Sequence, residues 1–329
     1  MKYPKIITKV FNLKWAALAM GMLLLWGCKP SYPPNPRPVL HTTISSDGQM
    51  IATLLNAGTD QQRLRVLRLD DGEDWRDVRV PQFTQSIRFG LHGHELLLTH
   101  QFNGQQDRLI SLDLDKPDGM ERLIYQDDEL GFPIEVSSGK VMVRTCPNDN
   151  NKGVHPCRGG FRWKMVDADG VITPIGPRYI GSYPAPIIVG TGFFWIDPQT
   201  MERQDPHPRI VAYPFPGGQA PDFARARLEK NTSNLTCDRQ GTRCLRNFIS
   251  NRGQAAAFIY DTEVLLGEER CYVEGVAGYS DGFSITPNGR AAVKSLAKAY
   301  DTPRHVVVMR FNPQQCKATS VQHINFKEE

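Results

Sequence analysis

The sequence predicts an all-β protein, a β-propeller of six blades behind an export signal and a proline-rich tether. Short apolar runs bounded by Gly, Asp, Asn or Pro recur along the chain, which is typical of strands joined by turns. Glycines between paired runs recur every 36 to 61 residues, near the period of about 40–50 residues of four-stranded propeller blades. A seventh blade is expected if residues 171–183 form one, and a pair of β-sandwiches is the alternative.

The first 27 residues predict a secretory signal peptide. An uncharged apolar run spans residues 15–26, the small Gly27 follows it, and Cys28 comes next. This order of a basic start, a short apolar run and a small residue at the cut is that of an export signal. The run is shorter than the ~20 residues of a transmembrane helix. The basic start consists of Lys2, Lys5, Lys9 and Lys14.

The end of this signal resembles a bacterial lipobox, although Trp26 is larger than the residue usual at its position. The resemblance implies that Cys28 is lipidated and begins the mature chain. Residues 28–38 hold five prolines and are expected to form an extended tether, followed by the propeller at 39–329. Because Lys29 replaces the aspartate of inner-membrane lipoproteins, the resemblance implies an outer-membrane anchor facing the periplasm. An uncleaved N-terminal anchor is the alternative.

The charge of the chain does not indicate a nucleic-acid partner. Removing the four lysines of the signal from the 39 basic residues leaves 35, and the chain has 35 acidic residues. A mature chain with a balance near zero has no strong field to attract a polyanion.

Six cysteines remain after Cys28, an even number that favours a disulfide framework in an exported protein. Nearness in sequence pairs Cys146 with Cys157 and Cys237 with Cys244, and leaves Cys271 for Cys316. The alternative is a metal site, but these spacings are wider than the two to four residues between the paired ligands of zinc sites.

Two segments resemble the TolB-like propeller repeat. Residues 44–52, with Asp47 and Gly48 at a turn, are followed by residues 64–72, which end in an acidic-Gly turn. Residues 284–290 are a second copy. The resemblance implies a propeller, and the turn glycines that split paired apolar runs indicate six repeating units. These glycines are Gly48, Gly93, Gly139, Gly192, Gly253 and Gly289.

Residues 278–282 match the Gly-x-Ser-x-Gly pattern of a hydrolase nucleophile elbow, with Ser280 as the nucleophile. Asp301 and His305 or His323 follow in the order of a hydrolase triad. The elbow needs a helix after it, whereas a strand and a turn are expected here, and only 47 residues remain after Gly282. The sequence therefore favours a glycine-rich loop between blades, and no catalytic residue is predicted.

Residues 92–95, His-Gly-His-Glu, have the composition of a metal cluster, and His100 lies near them in sequence. They stand where other repeats place a hairpin turn, so a turn is the favoured interpretation. The Asp113–Gly119 and Asp167–Gly170 segments resemble fragments of calcium loops but lack the glutamate that completes such a loop. No metal and no cofactor is predicted.

We expect the chain to act by binding a protein partner through one rim of the ring, because rim loops are free to vary. Two roles are expected: a scaffold in the envelope, or an immunity-type inhibitor of a toxin in the periplasm. Residues 197–222 are expected to form a proline-rich rim loop, with Tyr213 and Phe215 as partner-binding aromatics. The alternative is an enzyme that acts on glycan or peptide in the central funnel.

Overall fold

The computed structural model shows a six-bladed β-propeller without helices in the residues it describes. Chain contacts divide the sequence into Met1–Arg37 and Pro38–Glu329, and every described strand belongs to the second unit. Within the described residues, no helix is long and apolar enough to cross a membrane. These residues are 41–56, 61–70, 75–100, 106–116, 120–127, 130–145, 161–179, 186–196, 210–219, 232–249, 260–278, 282–296 and 305–326.

The described strands form six antiparallel sheets, and each sheet takes its strands in chain order. Five sheets have four strands and the fourth sheet has three. The first blade holds β1 (His41–Ile44), β2 (Met50–Leu55), β3 (Arg63–Arg68) and β4 (Arg76–Val78); the second holds β5 (Thr84–Phe89), β6 (Glu95–His100), β7 (Asp107–Asp113) and β8 (Met120–Asp127); the third holds β9 (Leu130–Ser137), β10 (Lys140–Thr145), β11 (Phe161–Val166) and β12 (Ile172–Tyr179). The fourth holds β13 (Ile187–Val189), β14 (Gly192–Ile196) and β15 (Ile210–Pro214); the fifth holds β16 (Thr232–Cys237), β17 (Arg243–Ile249), β18 (Tyr260–Leu266) and β19 (Glu269–Tyr272); the sixth holds β20 (Phe283–Ile285), β21 (Ala291–Leu296), β22 (His305–Phe311) and β23 (Ala318–Asn325).

Six buried apolar clusters lie between neighbouring blades and make the ring continuous. Each cluster combines side chains from two adjacent sheets, so that every blade buries both of its faces. Between blades 3 and 4, for example, Trp163 packs with Phe193. Sheet-on-sheet burial of this kind is what holds a propeller together.

The first and last blades close the ring through side chains, because no described strand is exchanged between them. Ile44 and Ile51 share a cluster with Val293 and Val308. At the outer edge, the rings of Trp75 and Phe326 lie 5.0 Å apart. Closure therefore depends on apolar packing between two blades that are built from opposite ends of the domain.

Each blade begins with a tight hairpin between its first two strands, and a left-handed glycine lies in every one of these turns. Glycine adopts positive φ without the strain of a Cβ. The glycines, which are spaced 45 to 51 residues apart, are Gly48, Gly93, Gly139, Gly190, Gly241 and Gly289.

One of the predicted turn glycines was wrong, and a second lies outside the described residues. Gly192 is the first residue of β14, and Gly190 occupies the turn. In the fifth blade Gly241 occupies the turn, whereas Gly253 falls after β17 and outside the described residues. The suggested seventh blade is also absent from the described residues, because Ile172–Tyr179 is the outer strand of the third blade.

Candidate functional site

The six inner hairpins meet at one end of the central channel, which we call the hairpin face. Residues at the ends of the first strands of all six blades line one shared cavity there. The cavity has a volume of about 90 Å³. Its apolar lining includes Ile44, Phe89, Ile134, Ile187 and Leu235.

Side chains within the turns fix the conformation of this face. The Ser45 hydroxyl accepts the N–H of Met50 at 2.8 Å, and Asp47 accepts the N–H of Gln49 at 3.0 Å. The last blade repeats the pattern with Thr286 and Asn288. Each turn therefore satisfies its own backbone donors, as expected for Asx-type turns.

Neighbouring turns are also hydrogen-bonded to each other. The N–H of Gly190 donates to the carbonyl of Arg239 at 2.7 Å, and the N–H of Arg239 donates to the carbonyl of Pro287 at 2.9 Å. The buried Arg243 guanidinium donates to the carbonyl of Gly289 in the next blade. These bonds join the fourth, fifth and sixth blades at the hairpin face.

Three charged side chains line the cavity: Arg88, Glu135 and Arg239. The Glu135 carboxylate accepts the N–H of Leu91 at 2.6 Å and the N–H of Gly139 at 3.3 Å. A Cβ on Gly90 would lie 2.6 Å from Glu135 Oε2, so glycine at this position allows the carboxylate to approach the turn. Glu135 thus ties the second blade to the third.

The two arginines of the cavity are both partly buried. Burial lowers the pKa of Arg88 to about 10. Burial also lowers the pKa of Arg239, and the charge of Glu135 opposes that shift. Both guanidinium groups remain charged at neutral pH. Two cations and one carboxylate give the described lining of the cavity an excess of one positive charge.

The predicted cluster at residues 92–95 lies in the hairpin of the second blade, as the turn interpretation expected. His94 Nδ1 lies 2.9 Å from Asp115 Oδ1, and Nε2 lies 3.2 Å from Asp47 Oδ2. The two carboxylates contact opposite nitrogens of the ring, so they do not converge on one point where an ion could sit. His94 therefore links two blades at their surface.

The fragments that resembled calcium loops are turns in the outer hairpins. Asp113 accepts the N–H of Asp115 at 3.1 Å, and Asp167 accepts the N–H groups of Asp169 and Val171 at 3.1 and 2.8 Å. In both turns the Oδ1 atom of the leading aspartate accepts the N–H groups of its own turn. This arrangement explains the sequence pattern without an ion.

Two of the predicted cysteine pairs are joined as disulfides within the described residues. Cys237 and Cys244 flank the inner hairpin of the fifth blade, with their Cα atoms 4.0 Å apart. Cys271 on β19 is bonded to Cys316 between β22 and β23, which links the fifth and sixth blades. Glu269 lies beside this bond, but both sulfurs are used and the group offers no thiolate pair. Cys146, Cys157 and Cys28 lie outside the described residues, so their assignments stay predictions.

The suggested nucleophile elbow cannot be placed, because Ser280 and Asp301 lie outside the described residues. Gly278 and Gly282 flank it in the connection between the fifth and sixth blades. The two histidines of that pattern contact each other, with His305 Nε2 2.9 Å from His323 Nδ1.

The segment expected to be a rim loop contains a strand. Residues 210–214 form β15, which pairs with β14. Phe215 is 8% exposed, and its ring stacks on the buried Phe193 at a centroid distance of 5.8 Å. Tyr213 stacks on the same ring at 5.3 Å. Both aromatics pack inside the fourth blade, so their partner-binding role stays a prediction.

Sequence reasoning singled out neither Arg88 nor Glu135, because a strand's sequence does not tell which side chains face a channel. The alternation of Ile87, Arg88 and Phe89 is a signal that could have found Arg88. A charge between two apolar residues on an innermost strand is unusual.

Comparison with solved structures supports the fold. The chain is 13% identical to TolB from Acinetobacter baumannii (TM-score 0.59, covering 86% of this chain and 68% of that one). It is 11% identical to a triple mutant of AofleA from Arthrobotrys oligospora (TM-score 0.53, covering 89% and 88%). It is also 11% identical to an acylaminoacyl peptidase in complex with a chloromethyl ketone (TM-score 0.51, covering 89% and 46%). No family model and no curated protein matches the sequence. Identities this low show a shared fold alone.

Proposed function

We propose that this chain is a lipid-anchored protein of the bacterial envelope whose propeller binds a protein partner at its hairpin face. The observation that carries the proposal is the central cavity. It is small, its lining combines apolar side chains with polar and charged groups, and its described lining holds a single carboxylate already bonded to two backbone N–H groups. A rigid ring face with such a cavity is suited to recognition.

The cavity gives less support to the alternative function, an enzyme that acts on glycan or peptide in the central funnel. Glycoside hydrolysis needs two carboxyl groups on either side of the scissile bond, and the described lining supplies only Glu135. Hydrolysis by a serine would need a base within hydrogen-bond reach of the nucleophile. The peptidase similarity concerns 46% of that chain and does not transfer an activity.

The predicted anchor would place the binding face in the periplasm. The signal at 1–27, lipidation at Cys28 and the tether at 28–38 would hold the ring in the periplasm at the outer membrane. A scaffold for envelope assembly and an immunity-type inhibitor of a periplasmic toxin would both act through such binding. They differ in whether the partner is made by the same cell or delivered from outside.

Photocrosslinking in cells tests the binding face. A benzophenone amino acid placed at the exposed Gln240 or Asn288, both in inner hairpins, should give a discrete crosslinked protein. The same group at the exposed Tyr272, on an outer strand, serves as the matched control and should not. Crosslinks only from Tyr272, or from no position, would contradict the proposed face.

The anchor has its own test. Cys28→Ser should abolish labelling by a fatty-acid analogue and release the protein from membranes. Label that persists in this variant would contradict lipidation at Cys28.

A further inference from the structure

Arg88 stands at the end of β5, where it faces the cavity from the second blade. Within the described part of the chain, its guanidinium has no hydrogen bond and no ion pair. The lining of the same cavity includes the apolar side chains of Ile44, Phe89 and Ile134. Arg88 is half-buried, and a partly buried cation without a partner in the protein gains from an anion that joins it.

Glu135 is the carboxylate in the described lining of the cavity, but it does not serve as that anion. Both oxygens of Glu135 accept backbone N–H groups, from Leu91 and from Gly139. The negative charge of Glu135 also interacts favourably with the positive charge of Arg239. The described lining therefore keeps one positive charge that its own residues do not neutralise.

We propose that Arg88 binds a carboxylate of the protein partner, inserted into the central cavity from the hairpin face. This inference rests on the proposed function and names the chemistry of the partner: an Asp or Glu side chain, or a C-terminal carboxylate. The planar guanidinium presents two parallel N–H groups that match the two oxygens of a carboxylate.

The form of the cavity favours a carboxylate carried by a polypeptide over a free anion. The mouth is surrounded by the inner hairpins, whose exposed residues can contact the chain on either side of the inserted residue. The apolar lining can cover the aliphatic stem of a glutamate. Its volume of about 90 Å³ is enough for one such side chain.

The test follows the Arg88 side chain directly. In the NMR spectrum of the ¹⁵N-labelled protein, the Nε–Hε resonance of Arg88 is the one that is missing from the spectrum of the Arg88→Gln variant. The probes are the peptide acetyl-Ala-Ala-Glu-Ala-Ala-amide, the same peptide with Gln for Glu, and sodium acetate. We expect the Glu peptide to shift this resonance saturably and the Gln peptide to leave it unchanged.

Two variants calibrate the response. Arg88→Gln, in which binding is followed by the backbone amide shifts of the inner hairpins, should weaken binding of the Glu peptide by about tenfold or more, because a charge-assisted pair is lost. Arg290→Gln removes an exposed cation from a turn on the same face and should leave the affinity unchanged. Equal losses in the two variants would attribute binding to the general charge of the face and overturn the role of Arg88.

The remaining outcomes separate the sources of the anion. Acetate that binds as tightly as the Glu peptide would overturn the polypeptide source. An Arg88 resonance that responds to none of the probes would overturn the inference. If hairpin-face crosslinks persist in that case, the proposed function stands, whereas their absence would contradict the proposed function itself.

Discussion

His94 Nε2 lies 3.2 Å from Asp47 Oδ2 and joins the second blade to the first at the hairpin face. The other ring nitrogen contacts Asp115, which also forms an ion pair with Arg68 at 2.8 Å. The pKa of Asp115 is lowered, chiefly by the hydrogen bond to His94. Burial alone would raise the pKa of Asp47, but the Ser45 hydroxyl, the Gln49 N–H and His94 together lower it.

The first prediction concerns these two carboxylates. Since their folded pKa values are lowered, they stabilise the fold above their ordinary value near 3.8, and this contribution is lost as pH falls through the lowered values. His94→Ala should raise both midpoints toward the ordinary value in a carboxyl ¹³C titration. Lys116→Ala, which removes an ion pair with Asp113, should leave the pKa of Asp47 unchanged. If the titration midpoints of Asp47 and Asp115 do not move in His94→Ala, His94 is not the cause of their lowered pKa values.

Lys294 is the most deeply buried cation among the described residues, at 0% exposure. Its Nζ donates to Asn247 Oδ1 at 3.1 Å, to Thr262 Oγ1 at 2.8 Å and to the carbonyl of Val276 at 3.1 Å. Burial lowers its pKa to about 7, and the charge of Asp261 partly opposes this shift. The amine thus connects the fifth and sixth blades through neutral acceptors.

The second prediction is a gain of stability with pH. Between about pH 7 and the ordinary value of 10.5 the unfolded chain binds a proton that the folded chain lacks, so stability should rise. We expect on the order of 2 kcal/mol between pH 7 and 9, measured by urea unfolding. Lys294→Met should remove this gain, and the exposed Lys140→Met should keep it. The same pH slope in Lys294→Met and the wild type would disprove the assignment.

The third prediction ranks the two disulfides. In the chain-entropy model a bond across 45 residues stabilises by about 4 kcal/mol and one across 7 residues by about 2.5 kcal/mol. The double variant Cys271→Ser/Cys316→Ser should therefore lose more stability than Cys237→Ser/Cys244→Ser. Equal losses by urea unfolding would argue against the loop-length account.

The fourth prediction concerns the remaining cysteine pair. The strands that flank it bring Thr145 opposite Arg162 across β10 and β11, so Cys146 and Cys157 belong to one hairpin connection. Peptide mapping without reduction should recover them as one cross-linked fragment. A free thiol at either position would contradict the pairing.

Residues of the turns show how far the sequence could predict this fold. The inner hairpins of the first and last blades carry Asp-Gly and Asn-Gly turns, and these local signals identified the repeat correctly. The turn of the fifth blade, Asp238–Thr242, was not predicted, because it lies between two cysteines whose spacing indicates a disulfide loop. The alternation around Arg88 indicates a charge on an innermost strand, but its place at the cavity is established only when six strands from distant parts of the chain come together.

The last prediction separates packing from recognition at Phe215. Because the ring is buried against Phe193, Phe215→Ala should lower the free energy of unfolding by about 3–5 kcal/mol. Deletion of residues 205–219 would not isolate a loop, since it removes β15. Gln219→Ala, an exposed change in the same turn, should alter stability by less than about 0.5 kcal/mol. Thermal and urea unfolding measure both variants. A stable Phe215→Ala protein that no longer gives hairpin-face crosslinks would instead assign Phe215 to the partner interface.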